Sequence, residues 1–279
     1  MAKFIREASV VSDEPDKGVS VKSLVTPESV SSDNVLTEQI TLTDRAKFNF
    51  AVGDNDICWV HMLDGSCDVS IGGTKSSLGE EHFLFLAPRE NIQFECKETA
   101  HIFRATVPEA GRFDPSWTNL SLASRLTDWT NEPVLNSEFD ARKRIYMITP
   151  QLSGTKAVKG EMIIYPPGTE ASNHHHEGAE HFMVVLDGSA TFYINEEPRE
   201  VREGDTIYIY ENDRHYIRND TSREFRFIEY FVPGIYKTVW AEGAEICTWN
   251  PSNKNIKGGQ PSRHIAGHSS AEAHTRADI

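Results

Sequence analysis

Four histidines in the C-terminal half of the chain have the types and spacing of a metal centre. His174, His176 and His181 fall within eight residues, and His215 follows. On a strand, successive side chains alternate faces, so His174 and His176 point one way and His175 the other. The turn Glu177-Gly178-Ala179 sends the chain back, and His181 opens an apolar run, Phe182 to Leu186, on which His181, Met183 and Val185 share a face. His215 opens a later strand after Asn212-Asp213-Arg214. If these strands are neighbours in one barrel, the four imidazoles meet at its mouth.

Imidazole nitrogens suit several divalent metals. The expected cofactor is Fe, Mn or Zn, with Ni or Cu also compatible, held by His174, His176, His181 and His215. Neutral ligands leave the ion its full charge, which suits polarising a carbonyl or acidifying water and favours an anionic or enolisable substrate. Glu177 and Glu180 are the expected acid/base groups beside it, unless they form only a solvated turn. Met183, Tyr193 and Arg226 are the expected substrate contacts. On the strand from Phe225 to Val232, alternation divides Arg226, Ile228 and Tyr230 from Phe225, Phe227, Glu229 and Phe231 without saying which set faces inward.

The elements that must carry these residues read as β-structure. Short apolar runs, Ile57 to Leu63, His82 to Leu86, Ile102 to Val107 and Thr206 to Tyr210 among them, are bounded by Asp-Gly, Gly-Gly and Pro turn signals, with a hairpin expected at Gly72-Gly73. The fold class is therefore all-β, sandwich or barrel. The expected layout is an N-terminal arm over 1–40, a first β-domain over 41–110, a linker over 111–143 with a short helix near Leu120 to Trp129, a metal-binding domain over 144–240 and a tail over 241–279. The tail histidines His264, His268 and His274 are expected in a solvated segment, with a lid over a barrel mouth as the sharper alternative.

An internal repeat supports two β-domains. Met62-Leu63-Asp64-Gly65-Ser66 matches Val185-Leu186-Asp187-Gly188-Ser189 at an offset of 123 residues. At that offset His176 corresponds to Gly53 and His181 to Cys58, and His215, with a small gap, to Glu90 or Asn91. The first copy has lost its ligands, so a metal belongs to the second copy alone.

These residues resemble the motifs of the cupin superfamily: a glycine, His-x-His, an acidic ligand and a second glycine, then a further glycine, a Pro-x-Gly turn, a His and an Asn. Gly168, His174, His176 and Gly188 fit the first motif; Gly204, His215 and Asn219 fit the second. The resemblance implies two tandem jelly-roll (double-stranded β-helix) barrels, the first degenerate. His181 stands where the family's acidic ligand usually stands. Strand register favours His181 as the ligand; an adjusted loop would substitute Glu180. The turn reads Tyr210-Glu211-Asn212, in which Asn212 tolerates the left-handed conformation of a glycine.

Composition narrows the function. With 28 basic and 42 acidic residues the formal charge is −14, which argues against nucleic acid and anionic membranes as partners. The first residues do not read as a signal peptide, no apolar run reaches the length of a bilayer span, and the four cysteines lack metal-type spacing. A cytoplasmic homodimer or higher homo-oligomer acting on a small molecule is the expectation. The resemblance implies three functions in order: a metal-dependent dioxygenase, a non-oxidative hydrolase, isomerase or lyase similar in architecture to (S)-ureidoglycine aminohydrolase, and a non-catalytic binding or storage cupin.

Overall fold

The strands signalled by alternation assemble into four antiparallel sheets, two in each of two units. A computed structural model describes residues 1–43, 45–273 and 276–279. One unit comprises residues 7–129 with 153–157. The other comprises 1–6, 130–152 and 158–279. Helices are confined to single turns, such as Pro27–Val30, Pro150–Ser153 and the 3₁₀ turns Ala110–Phe113 and Trp117–Asn119. Among the described residues, no helix is long and apolar enough to cross a membrane.

The two units repeat one another in backbone detail. Gly65 and Gly188 share a φ of +79°, and a Cβ at either would stand within 2.6 Å of a backbone carbonyl. The expected hairpin turn at Gly72-Gly73 has positive φ at both residues, and so does its counterpart Asn195-Glu196. Arg89 and Asn212 are also both left-handed, at φ +67° and +68°. Pairing fixes the offset without a gap: Ile92 opposes Ile71 as His215 opposes Ile194. The counterpart of His215 is therefore Ile92, rather than Glu90 or Asn91. On the neighbouring strand the offset slips by one. His174 pairs with His215, whereas Phe50 pairs with Ile92. By that pairing His174 and His176 correspond to Phe50 and Val52, and Gly53 lies beyond. Val52, Cys58 and Ile92 are buried in the first unit's core with Phe50 packed against them, so apolar side chains fill the volume that imidazoles occupy in the second.

Several segments lie elsewhere than their composition suggests. Residues 7–40 do not form an arm. Val19–Val25 and Leu36–Leu42 are strands in the same sheet as Ala100–Val107 and Ile57–Asp64. Lys3–Arg6 instead adds an edge strand to Asp205–Ile209 of the second unit. Within the expected linker, Arg125–Asp128 is a strand paired with His82–Leu86 rather than part of a helix, and Leu135–Ser137 already belongs to the second unit's larger sheet. The tail packs there too. Thr248–Pro251 pairs with Leu135–Ser137 and His268–Ser269 pairs with Thr248–Pro251, while Trp249, Ile265 and Ile279 are buried. His268 is buried, His264 is exposed, and His274 lies outside the described residues.

Candidate metal centre and its pocket

Two sheets bring the histidines together. His174 and His176 lie on the strand His174–Glu177, His215 on His215–Arg218, and His181 on Glu180–Asp187 of the larger sheet. Ring centroids are 4.4 Å apart for His174 and His215, 4.8 Å for His176 and His181, and 4.8 Å for His181 and His215. The ligand nitrogens of His174, His176 and His215 fall within 4.8 Å of one another. His175 turns outward to Arg214, as alternation requires.

Their protonation states suit a cation. His174 Nδ1–H donates to the Ser172 carbonyl at 2.7 Å, and His215 Nδ1–H to the Asp213 carbonyl at 2.8 Å. Thr238 Oγ1 lies 3.1 Å from His176 Nδ1. Fixing Nδ1 as the donor leaves the Nε2 lone pair for a metal. Burial pushes His174 down to about 4 and holds His181 and His215 well below the usual imidazole value, so all three are neutral. Both ring nitrogens of His181 and Nε2 of His215 are buried without a hydrogen-bond partner. Buried polar atoms are normally satisfied, and a divalent ion among these rings satisfies them. The residues therefore fit the group.

Glu180 lies off the cluster. It accepts a hydrogen bond from Tyr208 Oη at 2.7 Å, on the other face of the strand from His181. Glu177 is at the surface, bonded to Lys237 at 3.0 Å. The carboxylate beside the histidines is Glu229, whose oxygen, with nitrogens of His176 and His181, forms a second group within 4.8 Å. Burial, and the Glu161 carboxylate directly opposite on the next strand, push the Glu229 carboxyl up to about 8. Glu229 belongs to the alternating set Phe225, Phe227, Glu229, Phe231. That set faces the pocket, so Arg226 points to the other side. Tyr193 also faces away, stacked on Tyr216 at 4.4 Å, whereas Met183 lines the pocket. The left-handed Asn212 carries the turn before His215, as expected of a glycine substitute.

The pocket holds about 70 Å³ of water-sized space between the histidines and a wall built by Arg142, Arg144, Glu161, Trp249 and Ser270. A single water needs only about 10–15 Å³ of such space, so the cavity admits several waters or a small metabolite. Arg144 meets Glu161 at 3.1 Å, Lys159 lies 3.6 Å from the same carboxylate, and Arg142 meets Asp140 at 2.6 Å. Tyr146 Oη is 2.8 Å from His268 Nε2, which ties the tail to this wall.

A jelly-roll barrel with inward imidazoles at one end, preceded in the chain by a barrel that lacks them, defines a tandem β-barrel protein with one candidate metal centre among the described residues. The cupin domain family matches residues 161–231, which lie in the second unit, so that unit carries a cupin domain. No curated protein sequence matches it. Among solved structures it is similar to protein Ylba from E. coli, with a TM-score of 0.65, 13% identity, and coverage of 84% of this chain and 91% of that one. It is also similar to an oxalate decarboxylase variant from Bacillus subtilis, with a TM-score of 0.68, 14% identity, and coverage of 85% and 78%. A further structure of that enzyme, described for its Mn(II) centres, matches with a TM-score of 0.67 and 15% identity. At such identities the likeness is one of fold.

Proposed function

We propose that the chain is a metal-dependent bicupin enzyme acting on a small metabolite that is anionic or carries a carbonyl, with the second barrel as the reaction site. The observation that carries this reading is the convergence of four imidazoles, His176, His181 and His215 buried and His174 half-buried, beside a cavity whose facing wall holds buried guanidinium groups. His174, His176, His181 and His215 would hold the ion, with Fe, Mn and Zn as candidates; Mn gains weight from the Mn(II) centres of the similar oxalate decarboxylase. The ion would supply Lewis-acid polarisation of a substrate oxygen or a redox couple. Glu229, beside His176 and His181, is placed to give or take a proton at the reacting carbon or its oxygen. Phe231, Met183 and Tyr236 also line the cavity.

A dioxygenase remains the first reaction class, as the family resemblance implies. Anaerobic loading with Fe(II), followed by oxygen uptake on a panel of small keto and hydroxy acids, tests it. Substrate-dependent uptake that disappears in His176→Ala supports an oxygenase; uptake unchanged in that variant rejects it. The second reading, non-oxidative chemistry on a small carboxylate, is favoured by the Glu229 carboxyl within 4.8 Å of the His176 and His181 nitrogens. Turnover with Mn or Zn under argon, lost in Glu229→Gln, distinguishes it.

A further inference from the structure

We propose that the substrate carries a carboxylate that is bound by Arg142 and Arg144, at the far end of the molecule from the histidine cluster. The inference rests on the reading of the histidines as a metal centre and names the substrate class for that site: a short-chain acid with a second oxygen-bearing group to set against the metal.

The two guanidinium groups are buried, at 5% and 8% exposure, and both line the cavity that the histidines line. Their hydrogen bonding is incomplete. Arg144 donates from one terminal nitrogen toward Tyr146 Oη at 3.5 Å and meets Glu161 with the other, and its Nε is buried without a partner. Arg142 engages Asp140 through Nε and Tyr165 Oη at 3.3 Å, and its remaining contact is a weak one to Cys247 Sγ at 3.7 Å. A guanidinium has five N–H donors in a planar fork that matches a carboxylate. Trp249 holds both in place, with Arg144 4.2 Å and Arg142 5.9 Å from its ring. A packed fork loses little freedom when it binds an anion.

Charge bookkeeping points the same way. Even with every carboxyl ionised, Arg142, Arg144 and Lys159 in and behind the wall balance Asp140, Glu161 and Glu229. An imidazole ligand, unlike a carboxylate, brings no charge to offset a divalent ion. The loaded cavity is thus net positive within a chain of net charge −14. A buried positive excess is costly unless an anion accompanies it. A dicarboxylate, or a carboxylate with an enolisable or carbonyl group, supplies that charge at both ends.

The test uses calorimetry on Mn(II)-loaded protein with malonate and its isosteric half-amide malonamate. Malonate is expected to bind at least about tenfold more tightly, as one charge-assisted contact predicts. The preference should fall to about parity in Arg142→Gln, whose partner Asp140 retains access to solvent. Arg144→Gln is the second variant, with metal content and melting temperature measured on both. Equal binding of the two ligands to the wild type, or a preference that survives in both variants, overturns the proposal while leaving the metal centre standing. A chain that takes up no metal yet keeps the arginine-dependent preference overturns the metal reading and upholds this one.

Discussion

His181 meets His176 edge to face, with ring centroids 4.8 Å apart, while the preceding Glu180 turns to Tyr208 on the other side of the strand. Strand alternation makes the two positions exclusive. Only one can face the cluster, and the apolar run that follows His181 fixes which. A site whose neutral ligand replaces the family's usual acidic one depends on neighbours to orient its rings and to balance its charge.

The first prediction concerns orientation. Thr238 Oγ1 stands 3.1 Å from His176 Nδ1. Thr238→Val keeps the side-chain shape and removes that partner. Metal affinity should fall about ten- to a hundredfold, the usual effect of losing a ligand's outer partner, with an unchanged circular dichroism spectrum. A competitive chelator titration measures it, and unaltered affinity would place Thr238 outside the centre.

The second concerns pH. His174, His181 and His215 have folded-state values below the usual 6.5, with His174 at about 4. In the metal-free protein the unfolded chain therefore binds more protons between pH 4 and 6.5. Stability must rise with pH across that window and be lost as pH falls through it. Protons also compete with the ion for the same nitrogens. Denaturant midpoints of metal-free protein should drop from pH 7 to pH 5, and loaded protein should release its metal over the same range. A midpoint that is flat or rises on acidification would contradict neutral, buried imidazoles.

Much of this was legible in the sequence because β-structure writes alternation into the chain. The turn signals at Gly65, Gly72-Gly73 and Gly188 marked the repeat, and His-x-His with His181 and His215 marked the cluster. Other features were hidden. Alternation divides Arg226 from Glu229 but is symmetric between the two faces, so only the fold shows that Glu229 looks inward. Glu177 and Glu180 were near the histidines in sequence, whereas Glu229 is near them through strand pairing. Arg142 lies in the proline-punctuated stretch that reads as a linker, and Arg144 opens the strand after it, where nothing in the pattern marks it as facing a pocket. The small slip that sets Phe50 and Val52 opposite His174 and His176 arises in a loop, where no periodicity constrains the count.

The third prediction tests the glycine that closes the first motif. A Cβ on Gly188 would lie 2.4 Å from the Glu224 carbonyl oxygen at a φ of +79°. Gly188→Ala should cost roughly 1–3 kcal/mol or more, from the left-handed strain and the clash together. Urea unfolding reads the loss. Gly178→Ala, also left-handed but with open space around its Cβ position, should cost less.

The fourth addresses the tail. Tyr146→Phe leaves the buried His268 Nε2 without the oxygen now 2.8 Å away. The expected loss is about 1–3 kcal/mol, seen as a lower thermal midpoint with metal content per folded chain unchanged. An unshifted midpoint would mean that the His268–Ser269 strand adds nothing to the wall of the pocket.

The most direct test of the four-histidine centre is elemental analysis of the purified protein beside His181→Ala and Glu180→Gln. The account predicts about one divalent ion per chain in the wild type and in Glu180→Gln, and a loss of most of it in His181→Ala. Full occupancy in His181→Ala with loss in Glu180→Gln would contradict it.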